Sequence, residues 1–233
     1  MRLAIIPARG GSKRIPRKNL RLFAGSPVLT YSIRAAIAAG CFDKIIVSTD
    51  DDEIAEVARA FGASTPFIRP SELADDHAVL IDVVRHAILW YQDRGEIVSE
   101  VCCIFATAPF VTSDTLLMGL DTLHKSGRSF ALSVTSFPFP VQRAISLLSD
   151  GSINAMYPEF RETRSQDLEP SWHDAGQFCW GKTNAFLDRL PIFSSHTTGV
   201  ALPRHLVQDL DTLEDWRRAE LMYKVMLQQG SLG

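Results

Sequence analysis

None of the first 42 residues is Asp or Glu, although eight of them are Lys or Arg; the first acid is Asp43. A net +8 segment therefore precedes a remainder of net −11, within an overall charge of −3. Such an asymmetry points to a local site for a polyanion. The acidic remainder would repel a long nucleic acid, so a small phosphorylated ligand is expected and a nucleic-acid partner is not. Cysteine is scarce as well: Cys41, Cys102, Cys103 and Cys179 lie in or beside apolar runs and none has CxxC or zinc-ligand spacing. They read as reduced, buried thiols, which suits the cytoplasm. No stretch approaches the ~20 apolar residues of a membrane span, and Met1 to Pro7 is too short an apolar run for a signal peptide. No membrane association is expected. The six histidines show no ligand spacing, and only His173 is placed near a substrate. Neither GxxxxGK[ST] nor GxGxxG occurs, which excludes an ATPase P-loop and a dinucleotide fingerprint.

What is present is an alternation of apolar runs of strand length with longer segments of helical period, punctuated by Gly, Pro and Asp. The spacing predicts strands at Leu3 to Ile6, Lys44 to Ser48, Val101 to Phe105, Phe130 to Val134, Gln177 to Trp180 and His205 to Val207. Helices are predicted at Val28 to Ala39, Asp51 to Phe61, Val79 to Trp90, Thr115 to His124, near Asn184 to Leu187, and from Leu213 to about Leu227. The expected fold is α/β, a doubly wound and mainly parallel sheet over residues 1–233 as a single domain. Between about 138 and 170 the rhythm breaks at an Asp150-Gly151 turn, which predicts an inserted hairpin.

Directly after the first strand stands Pro7-Ala8-Arg9-Gly10-Gly11-Ser12-Lys13-Arg14-Ile15-Pro16-Arg17-Lys18-Asn19. In a doubly wound sheet this is a usual ligand position. Gly10 and Gly11 allow a tight turn with exposed N–H groups, Ser12 adds a hydroxyl, and Arg9, Lys13 and Lys18 add charge. A triphosphate needs such a cradle. Near the other end, Asp209 and Asp211 lie two apart at the end of a predicted strand, so both carboxylates would leave one face and could share Mg²⁺. The alternative is that Asp211 N-caps the last helix and Asp209 is solvated. Arg161 and Arg164 can offer bidentate donors to a sugar carboxylate, or serve a dimer contact. Gln177 can bond an amide or hydroxyl, and Phe178 and Trp180 either cover apolar substituents or belong to the core.

Ala8 to Asn19, together with Ile46-Val47-Ser48-Thr49-Asp50, Ile68 to Ala74, Ala106-Thr107-Ala108-Pro109-Phe110 and Asp209-Leu210-Asp211, resembles the acylneuraminate cytidylyltransferases, the CMP-sugar synthetases. The resemblance spans nearly the whole chain. It implies that the first motif (Ala8, Arg9, Gly10, Gly11, Ser12, Lys13, Lys18, Asn19) binds CTP, that Arg69 and Ala78 help enclose the cytosine, and that Asp209 and Asp211 hold magnesium. Arg9, Lys13, Lys18 and Asp211 would then act in catalysis by balancing charge. Where many sialic-acid members have Gln-Pro-Thr-Ser-Pro, this chain has Ala106-Thr107-Ala108-Pro109, and Thr107 is placed at the sugar. Arg161 to Pro170 and His173 to Trp180 look like the branch that takes pseudaminic acid, although many such enzymes have a Tyr near Cys179 that this chain lacks. This places Arg161, Arg164, Gln166, His173 and Gln177 at a nonulosonic acid. The resemblance also implies a homodimer, with the 138–170 insertion crossing to the partner. Two other classes compete with this reading: a glycosyltransferase using Asp209-Leu210-Asp211 as its metal motif, and a nucleotide-binding regulator without chemistry.

Overall fold

Leu3, Ala4, Ile5 and Ile6 are wholly buried because their strand has a neighbour on each side. The computed structural model describes residues 1–75 and 78–230. Strand β1 (Arg2–Pro7) leads into the Gly-Gly loop, then into the short antiparallel pair β2 (Leu22–Phe23) and β3 (Ser26–Pro27). Helix α1 (Leu29–Ala39) ends where Gly40 turns left-handed at φ 60°, a conformation that costs glycine little. β4 (Lys44–Ser48) precedes α2 (Asp52–Ala60), whose N-cap is Asp51, accepting from the Ile54 N–H at 3.0 Å. Helix α3 (Leu80–Gln92), β5 (Glu100–Ile104), α4 (Ser113–Ser126) and β6 (Phe130–Ser136) continue the alternation.

The chain then leaves the sheet as an arm carrying a separate hairpin, β7 (Ile145–Leu147) and β8 (Ile153–Ala155). It returns as the long β9 (Trp172–Lys182), which runs antiparallel between β5 and β6. Helix α5 (Thr183–Leu187), the edge strand β10 (Thr197–Ala201) and α6 (Leu213–Gln228) complete the chain. The six-stranded order is β10-β6-β9-β5-β1-β4, with every pairing parallel except the two made by β9. This is the expected α/β class.

Two expectations near the C-terminus fail. His205 to Val207 is not a strand; Arg204–Leu206 forms a 3-10 turn, begun by Pro203. The sixth strand is instead Thr197–Ala201, whose Val200 is its one buried residue. A protected edge strand needs little apolar surface, so its Thr-Thr-Gly start reads locally as loop. The segment holding Asp209 and Asp211 is irregular, so strand alternation does not place their carboxylates.

Phe178 and Trp180 are core residues, both fully buried. Trp180 stacks on Phe42 with centroids 5.0 Å apart, and its indole N–H donates to the Leu116 carbonyl at 2.9 Å. Helix α4 approaches them so closely that a Cβ on Gly119 would lie 2.6 Å from Phe178 and 2.7 Å from Trp180. Gly119→Ala is therefore expected to destabilise the fold by about 1–3 kcal/mol through overpacking. Urea denaturation checks this: the midpoint should fall with an unchanged slope, and an unaltered midpoint would mean that α4 yields freely.

Candidate active site

The first cavity, about 340 Å³, opens at the C-terminal end of β1. Its walls include Arg9, Ser12, Lys13, Arg14, Lys18 and Asn19 from the loop, Arg69, Leu73, Asp75 and Ala78 opposite, and Thr107 at one side. Asn19, nearly buried, donates from its amide to the Arg9 carbonyl at 2.9 Å and so braces the loop from within. Ala8 is core, its N–H bonded to the Ser48 carbonyl at 2.9 Å. Gly10 has a structural reason to be glycine: a Cβ there would stand 2.7 Å from an Asp51 carboxylate oxygen. Gly11 faces open space.

The loop's charges are met by acids from other segments. The Gly10 N–H donates to Asp50 Oδ1 at 3.0 Å. Arg17, held in left-handed backbone at φ 53°, pairs with Asp51 and Glu53, which draws the Asp51 carboxyl below its usual range. Arg14 Nη1 reaches Asp211 Oδ2 at 2.6 Å, and Lys18 Nζ reaches Asp211 Oδ1 at 3.3 Å. Asp211 is not the helix cap. Thr212 caps α6, accepting from the Asp215 N–H at 3.1 Å, while Asp215 Oδ2 accepts from the Thr212 N–H at 2.8 Å. The capping alternative for Asp211 is thereby removed.

Arg69 is 5% exposed and donates to the Ser48 hydroxyl at 3.1 Å, to the Ser48 carbonyl and to the Leu73 carbonyl at 3.4 Å. Burial pulls its pKa down to about 10, against the attraction of Asp50. It remains charged at neutral pH, a fixed donor in the cavity wall.

A second cavity, about 490 Å³, shares Thr107 with the first. Its lining includes Thr135, Ser136, His173, Asp174, Arg204, Asp209 and Arg218. A wide bulge in β9 builds one wall: Asp174 pairs with Val134 and Cys179 with Leu132, so residues 175–178 stand against Ser133 alone. Gly176, at φ 62°, makes the turn, and its N–H donates to Asp174 Oδ1 at 2.8 Å. Burial raises the Asp174 carboxyl above its ordinary pKa, and the charge of Asp209 adds to the rise. Asp209 thus faces the second cavity, while Asp211 binds two cations that line the first. The acidic pair straddles the junction.

Four sequence-derived sugar residues lie elsewhere. Gln177 is buried and donates to the Leu206 carbonyl at 2.5 Å, bracing the Arg204–Leu206 turn. Arg161, Arg164 and Gln166 are on the arm, where Arg164 pairs with Asp167 at 2.8 Å, the Arg161 carbonyl accepts from Arg143, and Gln166 lines a shallow recess at the arm's base. They sit there because the hairpin carries them off the sheet. Conversely, Arg14, Asp174, Arg204 and Arg218 line the cavities without having been singled out. Arg14 and Asp174 lay inside the quoted motifs; nothing local marks Arg204 or Arg218.

A family model described as Cytidylyltransferase matches residues 3–157. The chain is 43% identical over 223 residues to a pseudaminic acid cytidylyltransferase of Campylobacter jejuni, covering 96% of each. It is 31% identical over 230 residues to a CMP-N,N'-diacetyllegionaminic acid synthase of Legionella pneumophila, again covering 96% of each. Among solved structures, CMP:2-keto-3-deoxy-manno-octonic acid synthetase complexed with CTP superposes with a TM-score of 0.68 at 15% identity, covering 98% of this chain and 99% of the other. That likeness bears on the fold alone.

Asp174 generates a pH prediction. A carboxyl whose folded pKa is raised favours folding below its unfolded pKa, and the contribution is lost as pH rises through the folded value. Asp174→Asn keeps an acceptor for the Gly176 N–H and has no charge to bury. The variant should melt above wild type at pH 7, with the difference vanishing below the unfolded Asp pKa of about 3.9. Thermal melts from pH 3 to 8 check this; a variant less stable at pH 7 would contradict it.

Proposed function

The chain belongs to the cytidylyltransferase family, and from that premise we propose that it transfers CMP from CTP to the anomeric hydroxyl of pseudaminic acid, releasing pyrophosphate. The observation that carries this reading is the meeting of two cavities at Thr107. One is walled by loop cations fit for a triphosphate; the other is lined by hydroxyls, arginines and His173, fit for an acidic sugar. The 43% identity supports pseudaminic acid as the acceptor.

The chemistry is mainly positioning and charge neutralisation. The anomeric oxygen forms a bond to the α-phosphorus and its proton passes to water, as the bond from the α-phosphorus to the bridging oxygen breaks in line and that oxygen leaves with pyrophosphate. Arg9, Lys13 and Lys18 take up charge on the departing pyrophosphate, with the Ser12 hydroxyl as a further donor. Arg69 holds a carbonyl of the base. Two carboxylates at the junction suit magnesium, which commonly takes one or two carboxylates and completes its shell with phosphate oxygens and water. Among the described residues no group of three or more His, Cys, Asp or Glu is arranged for a metal. Asp209 and Asp211 would hold the ion. A magnesium ion held there would supply Lewis acidity to the phosphates and to the acceptor hydroxyl.

The working form is a homodimer. Phe139, Leu147, Ile153 and Met156 of the arm are 77, 76, 60 and 57% exposed, and an isolated two-stranded hairpin is marginal in water. Burial against a second chain supplies the missing packing and brings Arg161, Arg164 and Gln166 to the partner's sugar cavity. The four free cysteines support a cytoplasmic location.

A pyrophosphate-release assay with CTP, Mg²⁺ and a panel of nonulosonates tests the reading. Pseudaminic acid should give a much higher kcat/KM than N-acetylneuraminic acid, and UTP should be at least about 100-fold poorer than CTP. A preference for N-acetylneuraminic acid would move the acceptor and leave the reaction standing; no pyrophosphate with any nonulosonate would end the proposal.

Asp211→Asn and Lys18→Ala separate chemistry from folding. Asp211's ion pairs are partly solvated and the cap belongs to Thr212, so the first variant should melt within a few degrees of wild type. Its kcat should fall by about 100-fold or more, with a raised Mg²⁺ requirement. Wild-type kinetics across a magnesium titration would remove Asp211 from the metal site, and wild-type kcat and KM for CTP in Lys18→Ala would remove Lys18 from the phosphate site.

A further inference from the structure

We propose that Arg14 competes with a divalent cation for one carboxylate, that of Asp211, and that a triphosphate frees this carboxylate by drawing Arg14 to itself. Nucleotide and metal are then taken up together, with Arg14 as the residue that couples them. The inference rests on the cytidylyltransferase reading, with Asp211 as a metal ligand, and deepens it. Both carboxylate oxygens of Asp211 are engaged: Arg14 Nη1 donates to Oδ2 at 2.6 Å and Lys18 Nζ to Oδ1 at 3.3 Å. A hard cation needs those same lone pairs, and two positive groups at that range repel it. Two acids, Asp209 and Asp211, stand against two cations, Arg14 and Lys18, so their formal charges cancel and the site draws a further cation weakly.

The two cations differ in how readily each can leave. The Lys18 side chain is 16% exposed and begins a 3-10 turn whose next residue, Asn19, is nearly buried and bonded to the Arg9 carbonyl. The Arg14 side chain is 69% exposed. An ion pair so open to water contributes little to stability, so it can be exchanged at small cost. Arg14 also lines the loop cavity beside Arg9, Lys13 and Lys18, and a guanidinium matches phosphate oxygens with two parallel bonds. The contact is nonetheless built into the fold. Ile15, which follows Arg14, and Leu210, which precedes Asp211, are both wholly buried in one cluster with Trp216. That core sets the backbone on each side of the contact, while the long Arg14 side chain can swing between carboxylate and phosphate.

The test uses Mn²⁺ as the probe, read by electron paramagnetic resonance, on full-length wild type, Arg14→Gln, Asp211→Asn, the double variant carrying both substitutions, and Arg21→Gln. Arg21 is a neighbouring cation that lies over the Trp216 ring. With no nucleotide added, Arg14→Gln should bind Mn²⁺ about 10-fold more tightly than wild type, because a nearby like charge has been removed. The gain should vanish when the double variant is compared with Asp211→Asn, and Arg21→Gln should bind as wild type does. In EDTA, calorimetry should show Arg14→Gln binding CTP about 10-fold more weakly, as loss of a charge-assisted pair implies. The melting temperature of Arg14→Gln should stay within a few degrees of wild type. Unchanged Mn²⁺ affinity in Arg14→Gln, a gain that survives in the double variant, or an equal gain in Arg21→Gln overturns the competition. Unchanged CTP affinity in EDTA overturns the coupling to the triphosphate. Both readouts are of binding alone, so a wild type that shows these shifts yet releases no pyrophosphate with any nonulosonate ends the transfer reading and leaves the competition standing.

Discussion

The structure depends on holding one strongly cationic loop in place. Arg9, Lys13, Arg14, Arg17 and Lys18 fall within ten residues, and the first 42 residues contain no acid to offset them. The counter-charges come from elsewhere in the chain. Asp50 takes the Gly10 N–H, Asp51 and Glu53 hold Arg17 in a left-handed backbone, and Asp211 holds Arg14 and Lys18. The loop is thus tied both to the start of α2 and to the entry of α6, segments about 160 residues apart in sequence. Residual positive charge stays directed into the cavity, where a triphosphate can complete the neutralisation.

The second cavity follows from a topological choice. β9 runs antiparallel between two strands of an otherwise parallel sheet, and it carries four bulged residues opposite one of β6. The bulge turns His173, Asp174 and Gly176 toward the space beside Thr107. It also places a partly buried carboxyl where ionisation is disfavoured. An irregularity that costs stability while shaping a pocket wall is what a working site is expected to show.

Most of the fold was legible because the signals are local. Gly40 and Gly62 both adopt positive φ at helix ends, and the buried runs of β1, β4, β5 and β6 have strand length and composition. The loop from Ala8 to Asn19 was legible for the same reason, as a contiguous motif after a strand. What failed depended on distance. His205 to Val207 reads as a strand until Pro203 turns it, and Thr197–Ala201 is a strand only because β6 lies beside it. The spacing of Asp209 and Asp211 suggested a shared strand face, but the segment is irregular and the pair straddles two cavities. Arg204 and Arg218 carry no local mark, since their value comes from a wall built by β6 and β9. Arg161 and Arg164 were prominent in sequence, and they sit on the arm, the insertion expected to cross to a partner, away from their own chain's cavity.

The nucleotide base poses a separate problem that charge alone does not solve. A guanidinium can only donate, so Arg69 can bond the ring carbonyl that cytosine and uracil share but cannot accept from the exocyclic amine that distinguishes cytosine. Selection of CTP therefore needs an acceptor on the same wall. Two backbone carbonyls there are held by the cavity's own arginines: Leu73 O accepts from Arg69 at 3.4 Å and Asp75 O from Arg9 at 2.9 Å. Each carbonyl has a second lone pair. With Leu73 and Asp75 both lining the cavity, the wall can meet an amine with an acceptor while meeting the uracil carbonyl with like partial charge. Burial of Arg69 and its bond to Ser48, the last residue of β4, hold that donor in place beside those carbonyls, so that donor and acceptor groups keep a fixed spacing on the wall.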